Sequence, residues 1–144
     1  MYDELVHASV HDGLKSSRVG AKRRTPFRHN DPGALREVLR RIKEDDNGGE
    51  STVFLALESL YSMDGDFAPL KEMLDVLDEI IPKARQCVVL DEAHSTGVYG
   101  EHGRGVAHLL GETSRVGVRL MTFGKAVGCS GGELVSSSPS ILNL

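Results

Sequence analysis

Two acids and a histidine directly follow a short apolar run, and their types and spacing could hold an organic ligand. Residues 87–91 predict a buried strand of a parallel sheet, and the strand ends at Asp91. His94 stands three residues further on, across the turn into the following loop. Ligands of open α/β sheets bind at the carboxyl ends of the strands, so both side chains can face one bound molecule. A carboxylate there can hold a protonated ring nitrogen, and the imidazole can donate to a neighbouring oxygen.

The elements that must position these residues alternate along the chain. Asp31 and Pro32 predict the start of a helix, whose apolar residues recur at helical spacing up to Ile42 before the acidic and glycine-rich residues 45–49 end it. Further helices are predicted at 8–14, 70–81 and 106–110, and strands at 23–27, 52–57, 87–91 and 118–123, with a last apolar stretch at 133–135. This order predicts an α/β fold with a mostly parallel sheet and helices on both faces.

The amino-acid composition limits the classes of function that this chain can have. The chain has 144 residues, of which 40% are hydrophobic and 26% charged, as expected of one ordinary folded domain. The formal net charge of -4 offers no basic surface for nucleic acid, and no apolar run approaches the roughly 20 residues of a membrane helix. Cys87 and Cys129 are expected to be free thiols. Without a predicted signal peptide, an intracellular, cytoplasmic protein is expected, with an organelle as the alternative.

The letters of residues 91–94, Asp-Glu-Ala-His, also occur in RNA-helicase ATPases, which is one alternative interpretation. A phosphate-binding loop requires one glycine and, five positions later, a Gly-Lys pair followed by a hydroxyl residue, all upstream of that motif. Here Gly124–Lys125 lies downstream, Ala126 follows it, and Arg119 occupies the position of the first glycine. A second alternative is structural: Asp91 caps a turn, His94 is a loop histidine with its hydrogen bonds satisfied, and Lys125 is a solvated surface residue.

Five segments together resemble, in order and spacing, the α-oxoamine synthases. These are fold-type-I pyridoxal-phosphate (PLP) enzymes that join an amino acid to an acyl-CoA with loss of carbon dioxide. The chain is most similar to the fungal members of the biotin pathway, and the resemblance covers essentially its whole length. The segments are residues 7–9 (HAS), 29–31 (HND), 58–66 (ESLYSMDGD), 91–100 (DEAHSTGVYG) and 122–126 (TFGKA).

The chemistry of two residues agrees with this resemblance. Lys125 follows a predicted strand in a glycine-lined turn and can form a Schiff base with the aldehyde of PLP. Asp91 would pair with the pyridine nitrogen and keep it protonated, so that the ring accepts electrons. The resemblance implies further contacts, and no metal: His7 stacked on the ring, His94 and Ser62 at the ring hydroxyl oxygen, Thr122 at the phosphate, and Glu58 on the substrate side.

The resemblance also implies an incomplete domain. Family members are longer, with an amino-terminal arm, a glycine-rich phosphate-binding segment and a carboxyl-terminal substrate domain. Residues 1–144 are therefore expected to be the central part of the PLP-binding large domain, from a homodimer whose active site lies between subunits. The alternative is a non-catalytic remnant or interaction module that keeps the PLP-binding sheet. The basic residues 22–24 are interpreted as a solvated strand edge, with contact to CoA phosphates as the other possibility.

Overall fold

The computed structural model describes residues 1–46, 49 and 51–142, with the backbone alone for Ser140 and Leu142. The helices in this part of the chain are α1 (Ala8–Ser16), α2 (Pro32–Asp45), α3 (Leu70–Ile80), α4 (Val106–Leu109) and α5 (Pro139–Leu142). The strands are β1 (Tyr2–Asp3), β2 (Pro26–Phe27), β3 (Val53–Glu58), β4 (Gln86–Asp91), β5 (Val118–Thr122) and β6 (Gly132–Ser136). None of the helices described combines the length and apolar character needed to cross a membrane.

The strands follow the order β2-β1-β3-β4-β5-β6 in a mixed sheet. β1 pairs in parallel with β2 and β3, and β4 pairs in parallel with β5, whereas β6 runs antiparallel to β5. The predicted α/β class with a mostly parallel sheet is confirmed. The chain divides into two compact units, one of Met1–Ala56 with Pro69–Cys87 and one of Leu57–Ala68 with Val88–Leu144.

The first unit contains the helix that the sequence predicts most clearly. Asp31 is the N-cap of α2 and accepts a hydrogen bond from the Ala34 backbone N–H at 2.9 Å, while Pro32 fits the first turn. This hydrogen bond, together with the Arg28 guanidinium, holds the pKa of Asp31 below its ordinary value. Helix α2 ends at Asp45 as predicted, but Asn47 and Gly48 of the helix-ending segment lie outside the described residues.

The apolar faces of α2 and α3 pack against each other and form the core of this unit. Leu35 and Leu39 of α2 are fully buried, as are Met73 and Leu77 of α3. Helix α3 begins at the predicted residue and ends one residue before its predicted end. It ends there because Pro82 cannot continue a helix. Helical spacing of apolar residues therefore located both helices correctly.

The predicted strand at 23–27 is wrong over most of its length. Ala21–Arg23 forms a 3-10 turn, and only Pro26–Phe27 is a strand. Its neighbour β1 is two residues long, and on this side it pairs with Pro26 and Phe27. A strand extends only as far as its neighbour offers hydrogen-bonding partners. The basic residues 22–24, of which Lys22 and Arg23 are exposed, therefore remain outside the sheet.

Candidate active site

In the second unit, β4 and β5 end at the same edge of the sheet. They are parallel, and the Cα of Asp91 is paired with that of Leu120. Thr122 lies two residues beyond Leu120 at the end of β5, and Lys125 follows in the next loop. The predicted position of Asp91 at the carboxyl end of a strand is thus confirmed, and parallel pairing directs the ends of both strands to one edge.

The Asp91 side chain is only 8% exposed. Its Oδ1 accepts a hydrogen bond from the Ala93 backbone N–H at 2.8 Å, and its backbone carbonyl accepts one from the Ser59 N–H at 2.9 Å. Asp91 therefore caps the turn after β4, as the structural alternative predicts. Oδ2 accepts no hydrogen bond from the residues that the structure describes, which leaves one carboxylate oxygen for a ligand.

A tight turn after β4 carries His94, which is partly buried. The Glu92 carbonyl accepts hydrogen bonds from the backbone N–H groups of Ser95 at 3.0 Å and Thr96 at 2.8 Å, and from the Thr96 hydroxyl at 2.7 Å. The Ser95 hydroxyl lies 2.9 Å from that of Ser59, which follows β3. Because these groups are buried, their hydrogen bonds hold the His94 turn in one position.

Two further candidates of this unit, Glu58 and Ser62, lie at the end of β3 and in the segment that follows it. Glu58 is buried at the end of the strand, and its backbone N–H donates to the Tyr61 hydroxyl at 3.2 Å. Ser62 is exposed. It lies in a turn closed by backbone hydrogen bonds from Tyr61 N–H to Asp66 O and from Gly65 N–H to Tyr61 O, each 2.9 Å long.

Lys125 is exposed and lies in the loop that connects β5 to β6. Backbone hydrogen bonds from Phe123 N–H to Gly131 O at 2.9 Å and from Cys129 N–H to Phe123 O at 2.8 Å close this loop. A third bond joins Gly128 N–H to Lys125 O at 3.1 Å. The loop is therefore ordered by its own backbone, while the Lys125 amine remains accessible to a ligand.

Gly97 brings the loop that follows the His94 turn against the segment that follows Lys125. A Cβ atom at this position would lie 3.3 Å from Val127 Cγ2 and 3.4 Å from Ala126 Cβ. Gly97 also has a φ of +81°, which side chains rarely allow. A side chain at residue 97 would therefore crowd Val127 and strain the backbone.

Thr122 supplies the observation that tests whether PLP fits. Its Oγ1 is buried and has no hydrogen-bond partner among the residues that the structure describes. Buried polar groups are normally paired, so an unpaired hydroxyl at a ligand-binding sheet edge, three residues before the candidate lysine, requires an explanation. A phosphate oxygen would accept its hydrogen bond. The residues present are thus compatible with the predicted cofactor.

His7, the predicted ring-stacking residue, belongs to the first unit. It is the N-cap of α1, and its Nδ1 accepts a hydrogen bond from the Ser9 backbone N–H at 3.2 Å. The ring is exposed. The side chain therefore has a structural role in starting the helix, and stacking on a cofactor stays a prediction.

Two residues of this region that sequence reasoning missed are Glu92 and Arg119. They form a buried ion pair in which Arg119 Nε donates to Glu92 Oε2 at 3.0 Å. A signal was present, because an arginine inside the apolar strand 118–121 must be paired or strongly destabilising if it is buried. Its partner could not be read from spacing, since the two residues are separated by 27 positions.

Comparison with known proteins places these observations in a family. The family model described as "Aminotransferase class I and II" matches residues 1–144. The 8-amino-7-oxononanoate synthase of Emericella nidulans is 46% identical over 134 residues, which cover 91% of this chain and 32% of that protein. The 5-aminolevulinate synthase of Paracoccus denitrificans is 44% identical over 136 residues, which cover 94% of this chain and 30% of that protein.

Among solved structures, the serine palmitoyltransferase of S. paucimobilis with bound PLP and myriocin has a TM-score of 0.84 and 35% identity. The match covers 98% of this chain and 33% of that structure. The chain belongs to the aminotransferase class I and II family. The relatives named are all α-oxoamine synthases, so the predicted resemblance is confirmed, and PLP is the cofactor present in the solved relative. The chain spans about a third of the length of these relatives.

Proposed function

We propose that residues 1–144 form the central part of the PLP-binding large domain of an α-oxoamine synthase. The buried, unpaired Thr122 Oγ1 at the end of β5 supports this proposal most directly, because it is a hydrogen-bond donor in need of an acceptor. It lies in the same segment as Lys125, and this segment packs against Gly97 in the loop that follows the His94 turn. The arrangement combines a hydroxyl that can donate a hydrogen bond to a phosphate, an accessible amine and a buried carboxylate.

Each residue has a separate role in this proposal. PLP, when bound, supplies an electron sink for cleavage of a bond at the substrate Cα. Lys125 binds the cofactor aldehyde through Nζ, and Thr122 donates from Oγ1 to the phosphate. Asp91 holds the proton on the ring nitrogen through its carboxylate. Because that carboxylate is almost completely shielded from solvent, its attraction for the protonated nitrogen is less screened than it would be in water.

The remaining candidates orient the ring and the substrate in this proposal. His94 and Ser62 contact the ring hydroxyl oxygen, His7 stacks on the ring face, and Glu58 lies on the substrate side. Support for His94 comes from the hydrogen bonds that hold its turn between Glu92 and Thr96. Support for the whole set comes from the match of the family description to the full length of the chain.

The substrates proposed are an amino acid and an acyl-CoA, joined with loss of carbon dioxide. The relative from Emericella nidulans supports the finer proposal of an 8-amino-7-oxononanoate synthase in biotin biosynthesis. In that product the amine stands on the carbon next to the terminal methyl. Alanine supplies both carbons after decarboxylation, and a seven-carbon dicarboxylic acyl group supplies the rest. The name 5-aminolevulinate instead places the amine on a terminal carbon, which requires glycine.

We further propose that the complete protein is a cytoplasmic homodimer that binds neither nucleic acid nor membranes. Apolar side chains exposed on β6 support association, since Leu134 is 60% and Val135 39% exposed. The net charge of -4 gives no support for nucleic-acid binding.

The substrate proposal predicts a clear preference for alanine. For CoA release from a seven-carbon dicarboxylic acyl-CoA by the complete protein that contains this chain, we expect kcat/KM for alanine to be at least about 10-fold higher than kcat/KM for glycine or serine. Binding pockets typically discriminate by a factor of this order between substrates that differ by one methyl or hydroxyl group. The assay follows free thiol with each amino acid in turn. Preference for glycine would contradict the biotin-pathway assignment and favour the 5-aminolevulinate branch.

Replacing Thr122 with valine should weaken PLP binding without destabilising the cofactor-free protein. The variant loses one hydrogen bond to a charged phosphate, so the PLP Kd should rise about 10-fold or more. Because the hydroxyl is buried and unpaired, valine should leave the Tm of the cofactor-free protein unchanged or raise it. Fluorescence titration and thermal melts measure the two quantities.

Ser136→Ala is the control for this experiment. The Ser136 hydroxyl donates to the Gly117 carbonyl at 2.7 Å, and Ser136 is paired with Val118, at the opposite end of β5 from Thr122, so its loss should lower stability by about 1 kcal/mol and leave the PLP Kd unchanged. An unchanged PLP Kd in the Thr122→Val variant would remove the main support for the proposed phosphate contact.

A further inference from the structure

The Glu92 side chain is fully buried and makes two charge-assisted hydrogen bonds. Oε1 accepts from the Ala107 backbone N–H at 2.8 Å, and Oε2 accepts from Arg119 Nε at 3.0 Å. The second guanidinium nitrogen of Arg119 donates to the Arg104 carbonyl at 2.7 Å. The ion pair thus connects the turn after β4, the loop of residues 103–107, which runs into α4, and strand β5.

Gly105 shows how closely this loop surrounds the carboxylate. A Cβ atom at residue 105 would overlap the Glu92 carboxylate, and the φ of Gly105 is +95°, a value that disfavours every other residue. The backbone can therefore approach the carboxylate only at a glycine. The Glu92 carboxylate is therefore covered by the Gly105 backbone on this side and has no exposure to solvent.

The contacts continue from the ion pair to both sides of the proposed cofactor site. Glu92 is adjacent to Asp91, and its carbonyl holds the turn that carries His94. The loop that Arg119 and Glu92 hold includes Gly103, whose carbonyl accepts from the Gly97 N–H at 2.8 Å. Gly97 in turn packs against Ala126 and Val127, next to Lys125.

A buried ion pair is a poor source of stability, because desolvation of both charges offsets their attraction. The position of this ion pair is better explained if the pair fixes one arrangement of the segments around it. We infer that the Glu92–Arg119 ion pair positions the His94 turn relative to the strand and loop that carry Thr122 and Lys125. The inference rests on the proposed function of these residues, and both partners are positioning residues because neither is proposed to touch PLP.

The test uses the complete protein with Glu92→Gln, Arg119→Met and both changes together. Each single variant leaves one buried charge without its partner and should lower the Tm. The double variant removes both charges and should recover much of the lost Tm. The PLP Kd should rise about 10-fold in all three variants, as loss of an outer-shell partner does at metal sites.

Two readouts separate positioning from stability. The first is the PLP Kd, which should stay weakened in the double variant although the Tm recovers. The second is hydrogen exchange of the Gly97 amide, which should become about 10-fold faster because its acceptor Gly103 belongs to the loosened loop. The inference is overturned if the PLP Kd and the Gly97 exchange rate recover together with the Tm, or if they stay within about twofold of wild type in the single variants.

The Glu112–Arg115 pair is the matched control, since it is a mostly buried 3.0 Å ion pair in the same unit, next to the start of β5 and away from its Thr122 end. Glu112→Gln and Arg115→Met should lower the Tm but leave the PLP Kd within about twofold of wild type. Equal weakening of PLP binding by this control would overturn the inference, because any loss of stability would then suffice.

Arg119→Lys keeps the test decisive if the other variants do not fold. Lysine preserves the charge, but it cannot reach the Glu92 carboxylate and the Arg104 carbonyl together as the planar guanidinium does. We expect a weakened PLP Kd with a smaller drop in Tm than in the variants that leave a buried charge unpaired, and a wild-type Kd would overturn the inference. If the unchanged protein binds no PLP, the proposed function fails, while Gly97 exchange still decides whether the ion pair positions the loop.

Discussion

Replacing Lys125 with alanine should abolish the covalent retention of PLP and lower kcat by on the order of 10³-fold or more, as loss of a residue central to covalent catalysis does. Lys125 is the amine placed beyond the end of β5, and it is exposed in a loop that its own backbone hydrogen bonds close. Borohydride reduction of the unchanged protein, followed by peptide mass mapping, should locate the pyridoxyl group on Lys125 alone.

Lys71→Ala is a suitable control, because Lys71 is an exposed residue of α3 in the first unit. This variant should retain the pyridoxyl label and wild-type turnover. A label found on Lys15, Lys22 or Lys71 instead would reject the assignment. Stoichiometric labelling of Lys125 without any CoA release from the complete protein would favour the alternative of a non-catalytic remnant that keeps the PLP-binding sheet.

Asp91→Asn should leave PLP attached to Lys125 but lower kcat by about 10²- to 10³-fold or more, the range found when one preorganised electrostatic partner is removed. Asparagine has nearly the same shape and can still accept a hydrogen bond from the Ala93 N–H through its amide oxygen. The neutral amide cannot hold the proton on the ring nitrogen. The loss should therefore appear in kcat more than in the PLP Kd.

Steady-state kinetics and a PLP titration on the same preparation measure both effects. Asp45→Asn is the control, since Asp45 is an exposed residue at the end of α2. It should change neither quantity. Wild-type turnover of the Asp91→Asn variant would exclude the proposed role of Asp91, and a large loss of PLP binding at unchanged kcat would point to a purely structural contact.

Local sequence signals located most elements because their causes act within a few residues. The cap formed by Asp31 and the apolar spacing of α2 need no distant partner, and Pro82 ends α3 by itself. The strand predicted at 23–27 failed because a strand depends on its neighbour, and β1 offers only two residues for pairing. The antiparallel direction of β6 was likewise not visible in the apolar stretch at 133–135.

The sequence by itself determined which residue types stand at the ends of the predicted strands, and hence Asp91 and Lys125 as candidates. Only the tertiary structure decided that Glu92 and Arg119 form a buried pair and that Thr122 Oγ1 lacks a partner among the described residues. The physical reason is that burial and hydrogen bonding depend on residues far apart in the chain. Spacing and helix caps, in contrast, are properties of the local backbone.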